Sequence, residues 1–504
     1  MKHLTRRRFI TDTSKLAACG ALASTANRPL FAQSAHPGRP NVLFIIVDDH
    51  SPNLHSMLQD SPVATPNMER LASRCTQFSL GYCPSPGCCP SRTSFLTGVR
   101  PSTSGVYFNS QAYRKSSGWI SGVDNLPQHF NKNGYLAAGY GKVFHNRFQE
   151  DDTHSWTEGY VEPYSNEEEI ELRKHTIPGS LLDIPDVHPF YTFGVLPDDW
   201  DRDDPAKMQQ DTRHANQTIE VLRQRHELPF FLACGFWRPH VHWTVPKRYF
   251  DRHPLESIEI PEGYRPDDLE DIPKPGRWIA THRGYHDAIV RAGKWRHMLQ
   301  AYYAAVSYVD EQVGRVLDAL ESSPYNDNTI VVFAGDNGWH TGEKNHWSKF
   351  VLWENACRVP FMMAVPGMAP GICDSPASLL DIYPTLLELC DLPKPATHEL
   401  EGFDLTPILN GSTNDRGPPV VMTYGRNNHA VRSRRFRYIR YRNGDEELYD
   451  HFSDRHEWEN LAANPRFAPA KVELAAYLPA VNAADSDHGG GDSISNWSDE
   501  AFEK

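Results

Sequence analysis

Four apolar runs, each ending in polar residues able to do chemistry, constrain this chain more than any other feature. Asn41-Val42-Leu43-Phe44-Ile45-Ile46-Val47 is continuously apolar after its first residue and stops at Asp48-Asp49. Such a run reads as a parallel strand buried on both faces, not as a half-exposed strand with alternating polarity. Thr329-Ile330-Val331-Val332-Phe333-Ala334 leads into Gly335-Asp336-Asn337, and Phe230-Phe231-Leu232-Ala233-Cys234-Gly235 leads to Arg238-Pro239-His240. A weaker run, Tyr135-Leu136-Ala137-Ala138-Gly139, leads to Lys142 and His145. In open α/β sheets ligands bind at the carboxyl ends of the strands, which is where these polar residues fall. A helical stripe separates the runs: Trp295, Met298, Leu299, Tyr302, Val306, Val309, Val313, Val316, Leu317 and Leu320. Its aromatic members read as core. Strands alternating with helices predict a large, mostly parallel sheet sandwiched between helices.

Two stretches interrupt that pattern. Residues 150–205 are acidic and proline-bearing with little periodicity, and residues 251–294 are similar. They read either as substrate loops or as surface decoration. After Gly411, Ala430-Val431-Arg432 and Phe436-Arg437-Tyr438-Ile439-Arg440-Tyr441 alternate like antiparallel strands, Glu447-Leu448-Tyr449-Asp450 follows, and a helix is expected from Ala468 to about Val481. The expected organisation is a signal segment at 1–34, a catalytic domain at 38–411, a smaller C-terminal α+β subdomain at 412–483 and a tail at 484–504 that is loose or a surface strap.

Thr5-Arg6-Arg7-Arg8-Phe9-Ile10 has the twin-arginine export form, followed by a mild apolar stretch too short to span a bilayer. Cleavage at Ala32-Gln33-Ser34 predicts a periplasmic or secreted protein. The alternative is a lipid anchor at Cys19, because Leu16-Ala17-Ala18-Cys19 has the lipobox form. No later segment reads as membrane-spanning. The 504 residues carry a net charge of −13, which argues against nucleic-acid binding. An acidic surface still leaves room for a local cationic pocket. Of nine cysteines, eight lie beyond the signal, and their spacing suggests neither a zinc site nor a particular disulfide pairing.

Cys88-Cys89-Pro90-Ser91-Arg92, continued by Thr93-Ser94-Phe95-Leu96-Thr97-Gly98, puts a cysteine just ahead of a proline-started helix. Helix donors and Arg92 favour an anion there; a small buried cysteine is the plainer reading. Asp48, Asp49, Asp336 and Asn337 form an all-oxygen set suited to a hard divalent cation, with helix or turn capping as the alternative. Arg92, Lys142, His145, His240 and Lys349 form a cationic set able to surround a sulfate ester. His242, His340 and His346 flank these motifs, as do Trp119, Trp237, Trp243 and Trp339. They would line a sugar pocket or, for most of the tryptophans, pack in the core.

With these motifs the chain resembles the type I, formylglycine-dependent sulfatases of the alkaline phosphatase superfamily, in particular the iduronate-2-sulfatase and choline-sulfatase branch. The likeness is carried by Pro40 to Asp49, Cys88 to Gly98, Gly141-Lys142-Val143-Phe144-His145 and Arg238-Pro239-His240. It continues through Gly335-Asp336-Asn337-Gly338, Gly342-Glu343-Lys344, Trp347-Ser348-Lys349, Arg358-Val359-Pro360, Leu380 to Thr385 and Glu447 to Asp450. It implies an alkaline-phosphatase-like fold and one calcium ion (Ca2+) held by Asp48, Asp49, Asp336 and Asn337, which Cys88 also reaches. It implies that Cys88 is oxidised to 3-oxoalanine (formylglycine), whose hydrate attacks sulfur. By the same likeness Arg92, Lys142 and Lys349 steady the hydrate and the sulfate oxygens, His240 with Lys349 protonates the leaving alcohol, and His145 deprotonates the second hydroxyl. Asn337 stands where the branch more often has histidine, which weakens any transfer of substrate identity. Cys89 occupies the variable position of the motif, and its spacing to Pro90 and Arg92 favours Cys88 as the modified residue.

The expected activity is hydrolysis of a sulfuric ester on a carbohydrate. The expected partners are a sulfated polysaccharide or oligosaccharide, a formylglycine-generating enzyme acting before export, and the twin-arginine machinery. The alternatives are a phosphonate or phosphodiester hydrolase on the same scaffold and a non-catalytic binder of sulfated glycans.

Overall fold

The computed structural model describes residues 38–54, 61–145, 155–157, 166–188, 191–202 and 204–486. The signal segment with Cys19, and residues 487–504 of the tail, lie outside the described residues.

Seven strands build the main sheet: β1 (Asn41–Val47), β2 (Thr76–Phe78), β3 (Leu136–Gly141), β4 (Phe230–Gly235), β5 (Thr329–Gly335), β6 (Phe361–Ala364) and β7 (Gly371–Cys373). Their order is β7-β2-β6-β5-β1-β4-β3. β1 is central and parallel to both neighbours, with Val47 opposite Gly335 and Ile46 opposite Gly235. β3 is parallel to β4, with Gly141 opposite Gly235. One strand departs from the parallel pattern: β6 runs antiparallel to both β5 and β2. These registers bring the ends of β1, β3, β4 and β5 to one edge of the sheet.

Alternate residues of the central strands feed two cores. Val42, Phe44, Ile46, Phe231, Ala233 and Val332 pack with Phe95 and Leu96 of α1 (Cys88–Thr97). Leu43, Ile45, Val47, Leu232 and Phe333 pack with Ala215, Ile219 and Leu222 of α2 (Gln210–Arg223), and with Val309, Val313 and Val316 of α3 (Trp295–Glu321). Helices thus cover both faces, which is why the strands carry no polar face. α1 is buried along its whole length and ends at Gly98, whose φ of 72° is the left-handed conformation that favours glycine.

The two interrupting stretches have more regular structure than their sequences suggest. Residues 166–172 are helical, and Phe193–Leu196 pairs in parallel with Trp243–Pro246. The second stretch holds the helices Lys274–Thr281 and Tyr285–Arg291. Elements of four to eight residues are too short for a hydrophobic period to show.

The C-terminal sheet is an antiparallel meander of β8 (Val420–Thr423), β9 (His429–Arg432), β10 (Phe436–Arg440) and β11 (Glu446–Asp450). Met422, Ala430, Ile439 and Tyr449 on one face join the core around α1, while Val421, Val431, Tyr438 and Leu448 pack on Leu474. The covering helix is Ala468–Ala475, shorter than expected. Pro479 explains the difference: it supplies no N–H and disfavours helical backbone in the residue before it. Beyond the helix the chain straps back onto the main domain, where Ala483 N–H donates to the Ser102 carbonyl and Ser486 N–H to the Gly105 carbonyl, each at 2.8 Å. A buried polar network holds the seam between the two sheets. Glu354 accepts from the Tyr82 hydroxyl at 2.9 Å, from Arg432 Nε at 3.3 Å and from Arg437, while Arg437 Nε lies 2.6 Å from Glu457. Among the described residues all eight cysteines are free thiols, and no helix is long and apolar enough to cross a membrane.

Candidate active site

The register of the sheet dictates where the polar residues fall. Because Val47 opposes Gly335, Asp48 and Asp336 leave the sheet side by side, and Asp49 N–H donates to Asp336 Oδ1 at 3.2 Å. Asp49 has a φ of 58°, a left-handed conformation that aspartate tolerates better than most residues. On the other side Lys142 N–H donates to the Gly235 carbonyl at 2.8 Å, directly past the paired glycines of β3 and β4. A side chain at Gly235 would run into the backbone of Lys142, so glycine there permits the close approach that delivers this lysine.

Cys88 is the first residue of α1, with Gly87 as its N-cap, and is fully buried. Its Sγ lies 2.7 Å from Lys349 Nζ, 3.8 Å from Lys142 Nζ and 3.4 Å from Asp48 Oδ1. Lys142 pairs with Asp48 and Lys349 with Asp49. Arg92, one turn into α1 and also fully buried, reaches Asp336 Oδ2 at 2.7 Å and Asp48 Oδ2 at 3.6 Å. His240 Nε2 stands 3.6 Å from Asp49 Oδ2, and 16% of its side chain is exposed. His145 is half-buried and lies close enough to feel the charges of Lys142, Lys349, Asp48 and Arg92. Every candidate from the sequence therefore gathers at this one edge.

Burial and charge set the protonation states. Burial works against a charged Asp48, but Lys142, His240, Lys349 and Arg92 outweigh it and hold the carboxyl well below its usual range. Asp49 is pushed up to about 8, by burial first and then by Asp48 and Asp336 against the pull of Lys349. The Cys88 thiol is pushed well up by burial and Asp48 against Lys142 and Lys349. His145 and His240 are both held well below the ordinary histidine range by burial, then by Lys142 and Lys349.

The donor set fits a hard cation. Oxygen, sulfur or nitrogen atoms of Asp48, Asp49, Cys88 and His240 all lie within 4.8 Å of one another. Asn337 donates through Nδ2 to Asp49 Oδ1 at 2.6 Å, while its Oδ1 and Asp49 Oδ2 are buried without a hydrogen-bond partner among the described residues. Buried oxygens left unpaired cost free energy unless something ligates them. Asp48, Asp49 and Asp336 are already matched by Arg92, Lys142 and Lys349, so a divalent ion would leave the pocket positive, as a sulfate-binding site requires.

A family model described as sulfatase matches residues 40–392, and one described as N-sulphoglucosamine sulphohydrolase, C-terminal, matches residues 342–484. The chain belongs to the sulfatase family. It is a sulfuric ester hydrolase, and membership implies a metal ion and a formylglycine made from a cysteine. It is 38% identical to a sulfatase of Formosa agariphila over 461 residues, covering 88% of this chain and 87% of that one. It is 32% identical to the iduronate 2-sulfatase of Homo sapiens over 405 residues, covering 75% and 70%. The phosphonate monoester hydrolase of Agrobacterium radiobacter superposes with a TM-score of 0.66 at 20% identity, covering 87% of this chain and 94% of that one. At that identity the likeness shows a shared fold alone.

Sequence reasoning missed several residues that shape this edge. Asp211 of α2 accepts the N–H groups of Trp237 at 2.7 Å and Arg238 at 2.9 Å, fixing the start of the loop that carries His240. The Trp237 ring lies 4.1 Å beneath Lys142 Nζ. Tyr302 of α3, read as core, donates its hydroxyl to the Asp49 carbonyl at 2.6 Å and accepts Ser51 N–H at 2.8 Å. Asn109 Oδ1 accepts Cys89 N–H at 3.0 Å at the start of α1. Of the flanking aromatics, Trp243 and Trp339 are core and His340 and His346 are buried, whereas Trp119 is 53% exposed.

Proposed function

We propose that this sulfatase removes sulfate from a sulfated carbohydrate, using Cys88 converted to formylglycine (3-oxoalanine) and one Ca2+ held by Asp48, Asp49, Asp336 and Asn337, with residue 88 also in reach. The observation that carries the reading is Cys88 at the start of α1 with two lysine ammonium groups and a carboxylate on its sulfur. A thiol pushed up by burial and Asp48 stays protonated and is a poor nucleophile. Chemistry at this position therefore calls for a different functional group, and formylglycine would supply a hydrated aldehyde as nucleophile. The calcium ion, when bound, would supply Lewis-acid stabilisation of the charge developing on the sulfate oxygens.

The remaining work belongs to the chain's own side chains. Lys349, Lys142 and Arg92 offer fixed positive charge from three sides, in a buried pocket where such charge is worth more than in water. His240 keeps 16% of its side chain exposed, which suits it to face the leaving alcohol. A sulfate bound between Lys349 and Lys142 offsets the two charges that depress His240, which lets it, with Lys349, hold the proton that the alcohol takes. His145, half-buried and held neutral, suits removal of a proton from the hydrate. Asp48 stays ionised and keeps Lys142 aimed at residue 88.

The carbohydrate assignment is supported by the relatives, one of which is named for the 2-sulfate of iduronate. Cys88 is fully buried in the folded chain, so its conversion belongs to a stage before folding is complete. That order agrees with the twin-arginine reading of residues 5–10, a route that carries folded proteins, and with a formylglycine-generating enzyme acting before export. Sulfate released from a panel of sulfated oligosaccharides by chain co-expressed with that enzyme tests the reading. Release from one class supports it; turnover of phosphodiesters alone overturns it.

A further inference from the structure

The two stretches that interrupt the α/β pattern each bring a cation to the rim of the site. Arg283, between the helices Lys274–Thr281 and Tyr285–Arg291, holds its guanidinium carbon 4.9 Å from the centroid of the Phe350 ring. Lys349 Nζ, which touches Cys88, lies 5.6 Å from that same centroid. Arg283 therefore shares an aromatic neighbour with the lysine that touches the reacting position. Phe350 is held in place: its N–H donates to the Pro86 carbonyl at 2.9 Å, and its φ is 73°, unusual for an aromatic residue. Its ring edge abuts Gly87, the N-cap of α1.

The segment before Arg283 is tied to the backbone of Lys349 as well. His346 Nδ1 lies 2.8 Å from the Ala280 carbonyl, and its Nε2 lies 2.8 Å from the Lys349 carbonyl. Among the described residues no carboxylate pairs with Arg283. From the other stretch, Arg173 bonds the ring of His242, at 3.2 Å to Nε2, two residues past His240. His188 is held below its ordinary range by burial and then by the charges of Arg283 and Arg173, so the two arginines share one neighbourhood. A protein of net charge −13 thus keeps positive charge at this rim beyond what its sulfate pocket uses.

We propose that Arg283, with the Phe350 ring and Arg173, forms a second anion subsite, which takes a carboxylate or a further sulfate of the sugar whose scissile sulfate sits at Cys88. The proposal rests on the carbohydrate-sulfatase reading above. A guanidinium fork matches carboxylate and sulfate alike, and the Phe350 ring against which it rests holds the fork in place.

The test compares the unaltered, converted chain with Arg283→Ala and Arg283→Lys on three substrates: 4-nitrophenyl sulfate, a disulfated glucosamine and a 2-O-sulfated uronic acid. The quantity read is kcat/KM on each sugar divided by kcat/KM on the aryl sulfate. Arg283→Ala lowers this ratio by about tenfold, mainly through KM, the size of one charge-assisted hydrogen bond. Arg283→Lys restores part of it. Loss on the uronic acid alone identifies a carboxylate subsite, and loss on the disulfated sugar alone a second sulfate. Arg291→Ala serves as control, since Arg291 pairs with Asp186 at 3.3 Å on the exposed surface of the same stretch. An unchanged ratio in Arg283→Ala overturns the subsite. If the unaltered chain turns over no sulfate ester, the sulfatase reading fails separately, and titration of the disulfated glucosamine then decides: weaker binding by Arg283→Ala upholds the subsite, equal binding overturns it.

Discussion

Lys349 Nζ sits 2.7 Å from Cys88 Sγ and at the same time pairs with Asp49, joining the candidate nucleophile position to the candidate metal carboxylates through one ammonium. Lys349→Ala is expected to lower kcat by about 10²–10³-fold, the range for removing one preorganised charge donor from a buried site. Lys349→Arg should rescue little, because a planar fork does not replace a compact point charge. Sulfate-release kinetics on folded variants check both; a kcat within threefold of the unaltered chain, roughly half a log unit, contradicts the role.

The cation should displace a proton. Without it Asp49 is raised to about 8, by burial first and then by Asp48 and Asp336 against the pull of Lys349, so it holds a proton more tightly than an ordinary carboxylate. Cation binding is then expected to release a proton near pH 7, with affinity rising as pH climbs from about 6 to 8. Calorimetry in buffers of different ionisation enthalpy reads the release. A pH-independent affinity contradicts the ligand role of Asp49.

His240 should matter most where the leaving group is poor. Its side chain is 16% exposed and suited to face the leaving alcohol, so His240→Gln is expected to cost about 10²–10⁴-fold on an alkyl or sugar sulfate and far less on 4-nitrophenyl sulfate. Equal losses on both substrates would remove the general-acid assignment.

Acid should unfold the chain through the seam and through α2. Arg432, His451 and Arg437 outweigh burial to hold Glu354 well below the usual carboxylate range, so its stabilisation is present above about pH 4.5 and is lost as pH falls below it. His214, lowered to about 3 by burial and Arg213, acts in the same direction, because the unfolded chain takes up a proton from about pH 6.5 downward. Glu354→Ala is expected to cost about 3–5 kcal/mol, since it leaves Arg432 and Arg437 buried without that partner. Thermal melts between pH 7 and pH 4 read both effects.

Much of this was legible in the sequence because it is carried by contiguous residues. The strand runs and the Asp48-Asp49 and Asp336-Asn337 pairs could be read directly, and so could the helix at the cysteine motif, although it starts at Cys88 itself, with Pro90 as its third residue, and not at the proline. The groups that could not be read act across the fold. Asp211 lies in a polar helix with no motif, and only the packing of α2 against β4 brings it under Trp237 and Arg238. Tyr302 sits on an apolar stripe, where its spacing identifies the ring as core but says nothing of its hydroxyl. Phe350 takes a positive φ without a glycine to announce it. Strand β6 has four residues and no alternation, so neither its existence nor its antiparallel direction was readable.

The most direct measurement is sulfate release from a sulfated oligosaccharide by the chain and by Cys88→Ala, both co-expressed with a formylglycine-generating enzyme, with the peptide across residue 88 weighed in each. The expected result is an aldehyde at residue 88 and turnover in the unaltered chain, and a folded Cys88→Ala protein with none. Undiminished release by Cys88→Ala, or by chain that keeps the Cys88 thiol, would contradict the account.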